Sequence, residues 1–266
     1  MKIDIMPSEG IHKKLIERFN KLPDSRELPK PPFYIMIQGS VGSGKSSLLY
    51  SLMKAYQPKG KEYFDMIVVF NANKDSDIVF QSFEKHNKVS LQIFNYYDDD
   101  SMRDFVEEMN TIQEQRKADG KPPLSVLVVL DDMIARGIST NVNRPNGLSD
   151  LLINRRHINT SIIITSQSFK SLNKIMRSTN VSQFFLMRAN NEDLISIAQA
   201  HNAGKVSAQQ FIDMYNFCKS KGEYKYLVID YQAPPHQIFK YGLEEIIRIN
   251  GNAEEEEPQE EEVVNE

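Results

Sequence analysis

Between an apolar run at 33–38 and a helix-period stretch at 47–55 lies Gly39-Ser40-Val41-Gly42-Ser43-Gly44-Lys45-Ser46, a full match to G-x-x-x-x-G-K-[ST]. No other feature of the chain restricts its fold as tightly. Such a loop must turn sharply and aim successive backbone N–H groups at one point, which calls for glycine. It also needs a strand before it and a helix after it to hold the turn in place. Converging N–H groups and the positive end of a helix suit a polyanion. Gly39, Ser40, Val41, Gly42, Ser43, Gly44, Lys45, Ser46 and Ser47 are therefore the expected nucleotide-binding segment. Lys45 would reach the β- and γ-phosphates of ATP, and the Ser46 hydroxyl would ligate Mg²⁺.

The rest of the chain agrees with this frame. Short apolar, β-branched runs at 33–38, 66–70, 91–96, 125–130, 161–165 and 183–187 alternate with helix-period stretches. Met102, Phe105, Val106, Met109 and Ile112 form one such apolar face, with Ser101 as the expected N-cap. Near-continuous apolar strands separated by helices predict an α/β fold, a mainly parallel central sheet with helices on both faces. In such sheets ligands sit beyond the carboxyl ends of the strands, so chemistry is to be sought just after each one. Residues 190–218 read as helical, 226–229 and 237–241 as strands, and 243–249 as a short helix.

Three segments follow. Residues 1–30 read as an extension: Ile11, Leu15, Ile16 and Phe19 recur at helical spacing, then Pro23, Pro29, Pro31 and Pro32 break the pattern. Residues 31–250 form the P-loop domain. Residues 251–266 form an acidic, low-complexity tail expected to be disordered. The net charge of -4 averages unlike regions, because the tail alone holds eight Glu and leaves the remainder mildly basic. That balance is compatible with a polyanionic partner. The single cysteine, Cys218, excludes an internal disulfide framework and reads as a small buried hydrophobe. No apolar run approaches the roughly 18 residues that span a bilayer, so neither membrane insertion nor secretion is expected.

Eighty-six residues after Lys45 the apolar run at 124–130 ends in Asp131-Asp132. On a buried strand next to the loop strand, Asp131 would hold the Mg²⁺ and Asp132 would face the γ-phosphate, placed to orient or deprotonate a water. The bland alternative is a pair that caps the following turn. After the strand at 161–165, Gln167 could hydrogen-bond both the γ-phosphate and the water, or be a surface turn residue.

Arg155, Arg156 and His157 precede that strand, so its five residues at about 3.3 Å each set them some 16 Å from their own phosphates. Arg156 is thus a candidate arginine finger for a neighbouring subunit, in competition with ordinary surface pairing. Arg188, at the carboxyl end of 183–187, could touch phosphate in its own subunit or serve the adjacent one. Lys170, Lys174 and Arg177, spaced four and three apart, read as one helical face that could track a DNA backbone without reading bases. Arg136 and Arg144 lie in the polar stretch 133–150, a candidate lever or pore loop.

Together the loop 39–46, the strand ending Asp131-Asp132, the stretch from Arg155-Arg156-His157 through Ser166-Gln167-Ser168, and Phe184-Phe185-Leu186-Met187-Arg188 resemble the poxvirus-type genome-packaging ATPases of large DNA viruses. These belong to the FtsK/HerA superfamily, and the resemblance covers roughly residues 33–200. It implies the additional-strand catalytic-glutamate type of P-loop fold, with the sensor strand between the loop strand and the Asp131 strand. It further implies a homo-oligomeric ring that moves double-stranded DNA into a preformed capsid at the expense of ATP. The partners would then be duplex DNA and a capsid or portal vertex protein, at virion assembly sites within the host cell or on the virion itself. The wider superfamily usually carries Asp-Glu where this chain has Asp131-Asp132, which shortens the candidate base by one methylene. Two other functions fit a P-loop: a small-molecule kinase, and a nucleotide-regulated assembly protein with little turnover.

Overall fold

In β4 (Val126–Asp131) every residue is buried, and the same holds for β1 (Tyr34–Gln38) and β5 (Thr160–Ser166). Strands with two apolar faces must be covered on both, and the computed structural model, which describes residues 17–18, 20–22, 27–71, 78–86, 89–133, 146–178 and 181–247, shows the covering. Alternate residues of one strand feed two separate cores. Val126, Val128 and Leu130 join one, and Leu127 and Val129 join the other.

Helix α1 (Lys45–Tyr56) and α2 (Ile78–His86) close one face of the sheet, with Leu49, Leu52, Met53, Tyr56, Phe80 and Phe83 packed inward. On the other face lie α3 (Asp99–Ala118), α4 (Gly147–Asn154), the short α5 (Lys174–Ser178), α6 (Asn191–His201) and α7 (Ala208–Ser220). With β2 (Met66–Asn71), β3 (Ser90–Phe94), β6 (Gln183–Leu186), β7 (Leu227–Asp230), β8 (Phe239–Tyr241) and β9 (Glu245–Ile246), the strand order is β3-β2-β4-β5-β1-β6-β7-β8-β9. The pairs from β3 to β6 are parallel and those from β6 to β9 antiparallel.

Several expectations are corrected. The Asp131 strand is not next to the loop strand, because β5 pairs with both β1 and β4. This is the order that the family resemblance implied. Helix α3 starts earlier than expected: Asp98 is its N-cap, and its carboxylate accepts the Ser101 N–H at 2.8 Å. The helical stretch 190–218 is two helices, broken where Ala203 and Gly204 take positive φ and restarted by a Ser207/Gln210 capping box. Where a helix is expected at 243–249, Glu245 and Ile246 instead form β9, main-chain pairing with β8 overriding helical spacing, and 248–249 lie outside the described residues. Leu22 and Leu28 of the extension are buried in the α1-side core, so at these two residues it packs onto the body. Its expected amphipathic stretch, the loop with Arg136 and Arg144, and the tail 251–266 lie outside the described residues. Cys218 is buried, and burial pushes its thiol up to about 12, as suits a core residue. Among the described residues no helix is long and apolar enough to cross a membrane.

Candidate active site

The glycines do what the loop requires of them. Gly42 and Gly44 have φ of 72° and 96°, the left-handed region, with Gly44 as the last residue before α1. A Cβ on Gly39 would stand 2.5 Å from Ser43 Oγ and 2.8 Å from Met187 Cβ, so no larger residue fits. The loop is anchored by both neighbours of β1: the Gly39 N–H donates to the Ser166 carbonyl (3.0 Å), and the Ser40 N–H donates to the Arg188 carbonyl (2.7 Å).

Lys45 is buried and folds back along the loop, its Nζ donating to the carbonyls of Gly39 (2.8 Å) and Ser40 (3.2 Å). Burial pulls its ammonium below the ordinary lysine range, against the opposing pull of the Asp132 and Asp131 carboxylates. Ser46 and Ser47 stand exposed in the first turn of α1.

Two residues that sequence reasoning passed over organise the acids. Thr165, near the end of β5, donates its hydroxyl to Asp131 Oδ1 (2.6 Å) and accepts the Asp132 backbone N–H (3.0 Å). Asn71 ends β2 directly opposite Asp131 and donates its amide to Oδ2 at 3.3 Å. A hydroxyl or amide at a strand end looks like an ordinary boundary residue, so only the strand order could have flagged either one. Asp132 has φ of 56°, in the left-handed region. The Gln167 amide donates to Asp132 Oδ2. The structure thus brings Lys45, Asp131, Asp132 and Gln167 to one rim, at the carboxyl ends of β1, β4 and β5.

A hydroxyl and a carboxylate are hard oxygen donors that suit Mg²⁺. Ser46, exposed at the start of α1, and Asp131, fixed by Thr165 and Asn71, fit such an ion.

The arginines divide. Arg188 serves its own loop: Nε donates to Ser40 Oγ (2.9 Å), Nη2 donates to the Val41 carbonyl (2.7 Å), and Nη1 pairs with Glu223 (3.4 Å). Arg155 is buried, its Nη1 bonded to the Leu152 carbonyl at 2.8 Å, whereas Arg156 beside it is exposed at the amino end of β5. The expected basic helical face is absent as such. Lys170 sits in the turn before α5 and pairs with Glu192 (3.0 Å), and Arg177 is half-buried with its guanidinium over Phe169, so only Lys174 remains as an exposed cation of α5.

A model of the poxvirus A32 protein family matches residues 19–238. The chain belongs to that family. The DNA packaging protein OPG160 of Variola virus is 28% identical over 176 residues, which are 66% of this chain and 58% of that protein. OPG160 of Vaccinia virus (strain Copenhagen) is 29% identical over 180 residues, 67% of this chain and 59% of that protein. The chain therefore spans less than two thirds of the length of these curated relatives.

Solved structures match the A32-family fold described above. The genome packaging NTPase B204 from Sulfolobus turreted icosahedral virus 2, in complex with AMP, superposes with a TM-score of 0.55 at 15% identity, covering 82% of this chain and 100% of that one. The cytoplasmic domain of the Thermomonospora curvata type VII secretion ATPase EccC gives 0.51 at 17% identity, covering 76% of this chain and 24% of that one. At such identities the likeness speaks to the fold alone.

Proposed function

We propose that this chain is the ATP-hydrolysing motor of viral genome packaging, driving double-stranded DNA into a preformed capsid. The observation that carries the reading is the shared rim: a phosphate loop with its lysine, two carboxylates and a glutamine, tied together by Thr165 across two adjacent strands. A kinase would need an acceptor pocket over the loop. A switch would not need a second carboxylate held in a left-handed turn. Membership of the poxvirus A32 family, with relatives called DNA packaging proteins, supports the choice.

Each residue has a task in hydrolysis. The backbone N–H groups of residues 39–47 and the Lys45 ammonium bind the triphosphate and offset charge building on the leaving phosphate. Asp132 accepts the proton of the attacking water through a carboxylate oxygen, and Gln167, already bonded to that carboxylate, orients the water. Mg²⁺ held by Ser46 and Asp131 would supply charge neutralisation at the phosphates. Arg156 lies at the far end of β5 from this rim, so its guanidinium can act only on a neighbour's phosphates, which calls for a head-to-tail homo-oligomeric ring. DNA contact is backbone contact, from Lys174 on α5 and from Arg136 and Arg144, since Lys170 is engaged by Glu192 and Arg177 lies against Phe169. The docking partner is a capsid or portal vertex protein at virion assembly sites.

The test is steady-state ATP hydrolysis at low, stated salt, with and without long duplex DNA, using Lys45→Ala as the blank. DNA-stimulated turnover that disappears in Lys45→Ala is the expected outcome. DNA-independent transfer to a nucleoside would establish a kinase instead, and ATP binding without turnover on an assembled ring would establish a switch.

A further inference from the structure

A bound triphosphate has a direction. The groups suited to its terminal phosphate stand at the ends of β4 and β5, on one side of β1, so the nucleoside end must leave toward the other neighbour, β6, and the β7 side beyond it. That side presents an aromatic ring that the hydrolysis scheme leaves unused. Tyr224 is 62% exposed, yet its Cδ1 lies 3.4 Å from where a Cβ on Gly44 would stand, beside Met187 Cε at 3.3 Å. The ring therefore borders the last glycine of the phosphate loop.

The turn that carries this ring is firmly built. The Lys225 N–H donates to the Gly222 carbonyl (3.2 Å), and Gly222 has φ of 149°, a conformation that favours glycine. From the end of α7, Lys219 Nζ donates to the carbonyls of Glu223 and Lys225, closing the turn from inside. Arg188 then ties it to the loop, pairing with Glu223 while donating to Ser40 Oγ and the Val41 carbonyl. One guanidinium fixes both the loop that would grip the phosphates and the turn that holds the ring.

We propose that Tyr224 is the stacking platform for the base of the bound nucleotide. The proposal rests on the nucleotide reading of the loop and adds where the base goes. Stacking uses the π-face that every base offers, so the platform adds affinity without choosing between adenine and guanine. Selectivity among bases would need polar groups aimed at a base edge, and the ring supplies none at its face.

The experiment is equilibrium binding by the full chain in Mg²⁺ of a non-hydrolysable ATP analogue, its GTP counterpart and inorganic tripolyphosphate. The wild type is compared with Lys45→Ala, Tyr224→Ala and Tyr224→Phe. Tyr224→Ala should weaken both nucleotide analogues about tenfold and leave tripolyphosphate unchanged, and Tyr224→Phe should bind as the wild type does. Undiminished nucleotide binding in Tyr224→Ala, beside a loss in Lys45→Ala, would overturn the platform alone. Equal weakening of nucleotide and tripolyphosphate would also overturn it, because the ring would then merely brace the loop. A wild type that binds none of the three ligands, or a Lys45→Ala variant that binds them as the wild type does, would remove the nucleotide reading and the platform with it.

Discussion

At the carboxyl ends of β1, β4 and β5 polar side chains bond to one another around a glycine loop, whereas at the amino ends of the same strands they are spent on the backbone and on closed pairs. Ser161 and Ser182 accept the N–H groups of Phe33 (3.3 Å) and Tyr34 (3.0 Å). Asp230, opposite the first residue of β6, is buried with Lys240 at 2.7 Å and Gln183 at 3.0 Å. The two edges use similar residue types. What separates them is strand polarity, which gathers the turn leading into α1 and the last residues of three parallel strands on one side only. Arg155 and Arg156 show the contrast within one dipeptide. The first is 2% exposed, with burial pulling it down to about 10 but leaving it charged at neutral pH, and the second stands in solvent. Arg156, outward at this edge, is what a neighbouring subunit would meet.

The largest test of this contrast is at the amino edge. In the assembled oligomer Arg156→Ala should lower ATP turnover by about 10³-fold with ATP binding intact, as loss of a trans arginine would. Full-rate hydrolysis by monomers indifferent to Arg156 would confine all chemistry to the carboxyl edge. Next, Asp132→Asn should reduce kcat by about 10²-fold, the usual scale of a lost general base, with nucleotide affinity kept. Kinetics that instead show only a raised KM would make Asp132 a binding residue. Arg188→Ala should weaken ATP about tenfold by releasing the loop from the turn at 222–225, measured by titration, since hydrogen bonds from a charged donor contribute about 1.5 kcal/mol or more. An unchanged affinity would mean the loop is set without it.

The last test concerns stability. His201 packs at 4.2 Å on Phe184, with Nδ1 2.8 Å from the Tyr231 hydroxyl, and burial lowers its pKa from 6.5 to about 4. The folded chain keeps it neutral while the unfolded chain takes up a proton below about 6.5, so stability falls as pH drops from 6.5 toward 4, by at most about 3 kcal/mol. Urea unfolding across that window should show the slope, and His201→Phe should flatten it. An equal slope in the variant would assign the effect to carboxylates.

How much of this was legible in the sequence differs between the edges. The loop, the Asp131-Asp132 pair and Gln167 each follow a run of β-branched residues, and local pattern alone locates them at strand ends. Pairing is not local, so the run ending at Asp131 reads as a neighbour of the loop strand, although β5 stands between them. For the same reason Thr165 and Asn71 look like plain strand ends, and the clamp from Arg188 to Glu223 spans 35 residues that no periodicity connects. At the amino edge Arg155 and Arg156 are identical letters whose fates part only when α4 ends there and buries one of them. Glu245 and Ile246 joined a sheet edge because β8 offered unpaired main chain, a circumstance that the spacing of 243–249 does not encode.

The insertion of β5 has a mechanical consequence. This seven-residue strand is buried throughout and hydrogen-bonded along both sides, so it is a stiff strut about 20 Å long. Arg156 stands four residues before its first residue, and Gln167 immediately follows its last. Force applied at Arg156 would therefore pass through the turn at 155–159, where Asn159 takes φ of 48°, and then along this single strand to the rim that holds Gln167.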